Sequence, residues 1–348
     1  MTTITYQYRI KDSSIKDVLI PMSSEVNFVW NFCNDVIRKR WKESRFFTYE
    51  STLNLLTKGS SKELNINSQT IQATFQELLK QVKKRKLVRF RSRKRRLGWL
   101  PFNGQTFKFL GNYSTYNGHK IRYWFHRPLP QGAVVKTGSF SEDSLGHWFL
   151  NLVVTFPEYL EPTLTGEVGI DLGIKTIAAL STGEKFERGN ISKLLENRLA
   201  KAQRKKLKRQ EKKIHLKIKN KRKDWNHKLS FEIAEKYRRV FVGDVKPTDI
   251  LTDFSKINRA VYDASWFELK TLLSYKVLRR QGVFKEVPEQ KSNEICSFCL
   301  KERETKLTLD IREWICSSCN TLLDRDINAA KNHLRFGSET PILGCSAL

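Results

Sequence analysis

Two Cys-x-x-Cys pairs near the end of the chain restrict its fold more than any other feature. Cys296, Cys299, Cys316 and Cys319 follow the spacing Cys-x2-Cys-x16-Cys-x2-Cys. Each pair presents two thiolates from one tight turn, and a hairpin between the pairs closes all four into a tetrahedron, the arrangement of a structural zinc ribbon. A closed shell of four thiolates leaves no position for water, so the site reads as structural and not catalytic. The other two cysteines, Cys33 and Cys345, read as a core residue and a tail thiol. The opening MTTITYQYRIKDSS has no basic segment followed by an apolar one, so a secreted disulfide framework is not expected.

Charge narrows the partners. Lys and Arg number 64 against 36 Asp and Glu, a formal net charge of +28 in 348 residues. Such an excess repels itself unless a polyanion neutralises it, and a phosphate backbone is the obvious candidate. Basic membrane-surface helices give the same sum, but 8 Trp, 10 Tyr and 21 Phe supply rings that stack on bases. No run of about 18 apolar residues offers a membrane span.

Along the chain, YQYRI reads as a strand. Val26, Trp30, Cys33, Ile37 and Trp41 then recur at helical spacing, as do Ile71, Phe75, Leu78, Leu79 and Val82. From about residue 104 the pattern is strand-like, with turn signals at Asn117-Gly118 and Leu145-Gly146, and suggests a small barrel. A boundary falls near 160–166, after which EVGIDLGIKTIAALSTGEKF reads as two or three strands. A basic helical stretch over 191–239, the buried strand VFVGDV, the helix ASWFELKTLLSYKVLRRQ and the strand VFKEV precede the cysteines, and the helix DRDINAAKNHLRF follows them.

Acidic residues in so basic a chain draw attention. Asp171 lies on a strand in GIDLG, and Asp324 and Asp326 precede the last helix. Two divalent ions acting on a phosphodiester need several converging carboxylates. Taken singly, an Asp in GIDLG is more often a turn or N-cap residue, and a helix N-cap is the ordinary role for either of the other two.

The order of these segments resembles the transposon-encoded TnpB (OrfB) family: GIDLGIKTIA, the basic helices ending in HKLS, VFVGDV, DASWFELKTLLSYK, the ribbon with IREWICSSC, and DRDINAA. The likeness is strong over about 165–337 and rests on arrangement in the N-terminal half. It implies a mixed α/β multidomain protein. Residues 1–21 and 96–162 would form a wedge-like β-barrel and 22–95 an inserted helical recognition lobe. Residues 163–292 and 322–338 would form an RNase H-like RuvC domain interrupted by the zinc ribbon at 293–321, with a tail at 339–348. It also implies a magnesium-dependent DNA endonuclease guided by an RNA from the transposon end. Such a protein would act on double-stranded DNA as a monomer in the cytoplasm, on the nucleoid of a bacterium or archaeon, with structural zinc.

In the family pattern Asp171 and Asp326 stand at catalytic positions. The middle acid departs, because Gly243 stands where a Glu is usual. Asp244 could take over, or Glu289 could supply the acid as in a rearranged subgroup. Glu289 is preferred, because adjacent strand residues face opposite ways and Asp244 would need a bulge to reach a site addressed by residue 243. A guided binder that no longer cuts, and a transposase joining strands without RNA, are the competing readings.

Two basic stretches are candidates for phosphate contact. Lys83, Lys84, Arg85, Lys86, Arg89, Arg91, Arg93, Lys94, Arg95 and Arg96 form the first, with Phe90 and Trp99 among them. The second, over 201–228, includes Lys205, Lys206 and Arg209, with Leu207, Ile214, Leu216 and Ile218 as a partly apolar side.

Overall fold

The opening strand finds its partner almost a whole unit away. β1 (Thr2–Arg9) pairs antiparallel with β7 (Trp148–Phe156), in register from Thr2↔Phe156 to Arg9↔Phe149. The computed structural model describes residues 2–11, 15–44, 49–85, 88–94, 96–104, 107–157, 165–189, 191–247, 255–289, 291–303 and 311–339. Lys86, Arg95 and Cys345 lie outside these. The chain divides into two units, Met1–Glu158 and Tyr159–Leu348.

In the first unit, α1 (Ile15–Ser44), α2 (Glu50–Leu56) and α3 (Ser68–Arg85) precede β2 (Trp99–Asn103), β3 (Phe107–Phe109), β4 (Tyr113–Tyr116), β5 (His119–Arg122) and β6 (Val134–Glu142). A four-stranded sheet runs β1-β7-β6-β2 and a three-stranded one β3-β4-β5. An isolated bridge, Ile10↔Tyr123, joins them. On β7, Trp148, Leu150, Leu152, Val154 and Phe156 are buried and the residues between them are not, the period-two pattern of a half-buried strand. Asn117 and Gly118 carry φ of 49° and 81° between β4 and β5, the left-handed pair that a two-residue hairpin requires.

The helical stripes Val26, Trp30, Cys33, Ile37 and Ile71, Phe75, Leu78, Val82 bury into the same core as the strands. α1 begins at Ile15, before the expected start at 22, and carries Pro21 in its second turn. β2 carries Pro101 and lies at a sheet edge, where a missing N–H costs no ladder bond.

In the second unit, β8 (Gly166–Asp171), β9 (Thr176–Leu180) and β10 (Lys185–Glu187) form a meander. α4 (Ile191–Leu194), α5 (Glu196–Arg204) and α6 (Lys208–Lys236) lead to β11 (Tyr237–Gly243), then α7 (Ser255–Ala264), α8 (Trp266–Arg279) and β12 (Val283–Val287). The hairpin β13 (Glu313–Ile315) and β14 (Leu322–Asp324) precedes α9 (Arg325–Glu339). The sheet order is β10-β9-β8-β11-β12, with β11 parallel to both β8 and β12.

The two faces of this sheet have different occupants. Val168, Ile170, Val240 and Val242 pack with Leu229 and Ile233 of α6 and with Trp266, Leu269, Leu273 and Val277 of α8. Residues 169, 171, 241 and 243 face the other way, toward α9. Gly169 admits the helix, since a Cβ there would collide with the Ala330 carbonyl.

Candidate active site and zinc ribbon

Strand alternation puts Asp171 on the α9 face at the end of β8, where only 8% of its surface is exposed. Asp326 sits in the first turn of α9 with 14% of its side chain exposed. Glu289 follows β12 by two residues and is half-buried. Burial, and then the like charges of Glu289 and Asp326, push the Asp171 carboxyl up to about 8, with Arg325 offsetting part of the effect. Asp171 is thus within electrostatic reach of both Glu289 and Asp326.

The remaining acids have other work. Asp324 is the cap of α9, its Oδ1 accepting the Ile327 N–H at 3.0 Å. Lys185 on β10 reaches it at 2.6 Å and stands 4.0 Å from Asp326, while Arg312 is 3.5 Å from the other Asp326 oxygen. Burial alone would raise the Asp324 carboxyl, but Lys185 and the Ile327 N–H hold it below its ordinary range. Asp244 accepts the backbone N–H of Glu289 at 3.1 Å, and its own N–H donates to Val287 at 2.9 Å. It braces the segment that carries Glu289.

Gly243 has a physical explanation. A Cβ there would lie 2.7 Å from Cε1 of His333, a fully buried residue of α9. No side chain fits at 243 while that ring is present. Burial holds His333 down to about 4, so the ring is neutral, and its Nδ1 faces the Ile170 carbonyl at 3.1 Å.

The four cysteine sulfurs lie within 4.8 Å of one another. Cys296 and Cys319 are 3.7 Å apart and Cys299 and Cys316 3.6 Å. Zinc–sulfur bonds of about 2.3 Å in a tetrahedron put sulfurs roughly 3.8 Å apart, so the set fits zinc. The two knuckles are built alike. Leu300 and Asn320 follow the second cysteine of each pair with φ of 64° and 55°. Their N–H groups donate to the Cys296 and Cys316 carbonyls at 2.9 and 2.8 Å.

The ribbon is tied to the acids twice. β14 runs directly into the α9 cap, and Arg325 N–H donates to the Arg312 carbonyl at 2.8 Å. In addition, Asn328 Oδ1 accepts the Ser297 N–H at 2.8 Å. The Asn328 and Asn332 amides donate to the Ile295 carbonyl at 2.8 and 2.7 Å, and Asn332 also donates to Ser292 at 2.8 Å. Ser292 in turn donates to the Glu289 carbonyl at 2.9 Å through its hydroxyl. The sequence signal for this clamp is an Asn pair at i, i+4 on an Ala-containing helix, which reads equally as solvated surface.

The first basic stretch divides in two. Arg91 packs against the edge-to-face pair of Trp30 and Trp99, 5.3 and 5.1 Å from their centroids, and its Nε donates to Asn27 at 2.8 Å. Arg93 pairs with Glu142 at 2.7 Å. Both arginines, and Trp99 with them, pack against the fold itself. Lys83, Lys84, Arg89, Lys94 and Arg96 are exposed, as are Phe90 and, in the second unit, Lys205, Lys206 and Arg209.

Known proteins share this pattern. Residues 153–251 match a family described as "Probable transposase", and 266–333 match "Cas12f1-like, TNB domain". A Streptomyces pristinaespiralis protein named "Putative RNA-guided DNA endonuclease" is 30% identical over 338 residues, covering 90% of this chain and 83% of that one. "Putative RNA-guided DNA endonuclease InsQ" of Escherichia coli (strain K12) is 27% identical over 244 residues, 62% of this chain and 59% of its own. TnpB-like protein L79 of Acanthamoeba polyphaga mimivirus is 32% identical over 142 residues, 38% of this chain and 26% of its own. A chain solved in a Cas12f1-sgRNA-target DNA complex superposes with a TM-score of 0.58 at 12% identity, over 92% of this chain and 82% of that one.

The class is therefore a mixed α/β protein of the Cas12f1 fold, with a four-cysteine cluster beside its last helix. Within that class, the chain belongs to the TnpB (OrfB) family.

Proposed function

We propose that this protein is an RNA-guided, magnesium-dependent DNA endonuclease encoded by a transposable element, with Asp171, Glu289 and Asp326 as its catalytic acids. The observation that carries this reading is the burial of Asp171 within electrostatic reach of the other two acids. Three carboxylates brought together this closely cannot all ionise without a cost to stability unless a cation offsets them.

Hard cations take oxygen ligands, so these three carboxylates would hold magnesium. Bound there, magnesium supplies positive charge to the phosphodiester and lowers the pKa of the attacking water. The chain's own contribution is placement. Asp244 braces the Glu289 backbone, Asp324 caps the helix that presents Asp326, and Lys185 and Arg312 flank that carboxylate. Cys296, Cys299, Cys316 and Cys319 hold zinc and fix the approach to α9.

Guide RNA and target DNA are held by charge. The exposed Lys83, Lys84, Arg89, Lys94 and Arg96 of the first unit and Lys205, Lys206 and Arg209 of the second offer phosphate contacts, with Phe90 as a stacking ring. Base pairing with the guide chooses the sequence, and the protein reads duplex shape and a short flanking motif. Purified protein should carry a discrete RNA and cut matched DNA only with magnesium. Cleavage that survives ribonuclease treatment, or absence of cleavage with the copurified RNA, would overturn the reading.

A further inference from the structure

One buried histidine, not used in the proposed chemistry, lies on the helix that carries Asp326 and touches both β8, which carries Asp171, and β11, which leads into the residue that braces Glu289. His333 lies two turns beyond Asp326 on α9 and is fully buried. Its Nδ1 is 3.1 Å from the carbonyl oxygen of Ile170, the residue before Asp171. A carbonyl only accepts, so Nδ1 carries the proton and donates.

The other edge of the ring meets β11. Built on Gly243, a Cβ would lie 2.7 Å from Cε1 and 3.2 Å from Nε2. Gly243 leads directly into Asp244, the acceptor of the Glu289 N–H. Nε2 itself is buried and has no partner among the described residues. An unpaired buried nitrogen costs stability that an aliphatic side chain would avoid. The ring therefore occupies this place at a cost to the fold.

We propose that His333 is a positioning residue for the acid site. Its donated bond to Ile170 and its wedge against Gly243 fix the separation of Asp171, Glu289 and Asp326. The inference rests on the nuclease reading above and deepens it. Catalytic constellations tolerate misplacement of only about 0.5 Å, and an aliphatic residue at 333 would release the Ile170 carbonyl. Asn carries an amide nitrogen at the position of Nδ1 and would keep the donor, whereas Gln carries its nitrogen at the position of Nε2.

The test compares wild type with His333→Asn, His333→Gln and His333→Leu, each as full-length protein with its copurified RNA. Two quantities are read: magnesium affinity by calorimetry, and guided cleavage rate across a magnesium titration. Gln and Leu variants are expected to need roughly tenfold more magnesium on both readouts, and Asn to stay within about threefold of wild type. Target binding in chelator should be equal in all four. Equal magnesium affinity across the series overturns the inference, as does an Asn variant as impaired as Gln. If Leu fails to fold, the Asn and Gln pair still decides. A wild type that binds magnesium without cutting sinks the nuclease reading while the affinity comparison still judges His333; one that binds no magnesium overturns both.

Discussion

Asp244 holds Glu289 by its backbone, with Oδ1 accepting the Glu289 N–H at 3.1 Å across the parallel strands β11 and β12. The two acids thus have separable roles, and substitution should split them. Glu289→Gln removes a proposed ligand and is expected to abolish guided cleavage. Asp244→Asn keeps an acceptor oxygen and should retain most of the activity. Asp244→Leu loses the brace and should cost about 10–100-fold, the usual scale for a partner that orients a ligand. Rates on one matched target measure all three. Full activity in Glu289→Gln would assign the middle acid elsewhere.

Asp171 predicts a trade between stability and activity. Its folded-state pKa of about 8 lies above the ordinary carboxylate value, so the folded protein holds this proton where the unfolded chain has lost it. That contribution makes metal-free stability fall as pH rises from about 4 towards 8. Asp171→Asn removes it and should raise the melting temperature in chelator at pH 8, by about 2–4 °C for each kcal/mol relieved. The same variant should lose cleavage and lose the stabilisation that magnesium gives wild type. A lower melting temperature in chelator would contradict the argument.

What the sequence discloses here depends on whether a residue's neighbours are local. Cysteine spacing describes its own geometry, because each knuckle closes within four residues. Alternation along GIDLG and VFVGDV separates 171 and 243 from 170 and 242. Asp244 and His333 are different. Their work depends on the order β8-β11-β12 and on the face that α9 covers, through hydrogen bonds between residues 45 and 163 positions apart. Arg89 and Arg91 look identical in the chain. α1 tells them apart by pinning the segment through Asn31, which bonds both the N–H and the carbonyl of Arg91. Pro101 hides β2 until the strand is known to be an edge.

The clamp between ribbon and helix yields a prediction that zinc content alone cannot mimic. Cys316→Ser should lose zinc and impair cleavage, because the hairpin ends at the cap of the helix bearing Asp326. Asn328→Ala with Asn332→Ala leaves all four thiolates intact but removes the bonds to Ser292, Ile295 and Ser297. This pair should keep stoichiometric zinc and still cut more slowly, since the turn after Glu289 is anchored through Ser292. Metal analysis beside cleavage rates distinguishes the two. A double variant with wild-type rates would show that zinc acts without the asparagines.

The basic stretch predicts opposite signatures for neighbouring arginines. Lys83, Lys84 and Arg89 are exposed, so alanine at all three should weaken RNA binding and flatten its salt dependence. Each phosphate left unneutralised reduces the slope of log affinity against log salt by roughly 0.7–0.9. Arg91 packs against both Trp30 and Trp99 and is bonded to Asn27. Arg91→Ala removes the stacking and leaves Asn27 without this donor, so it should lower the melting temperature of the first unit while leaving the salt slope near that of wild type. Filter binding across a salt series, paired with thermal unfolding, measures both. A triple variant with an unchanged slope would place the RNA elsewhere, and an Arg91 variant with a reduced slope and intact stability would mean that its guanidinium leaves the tryptophans to meet phosphate.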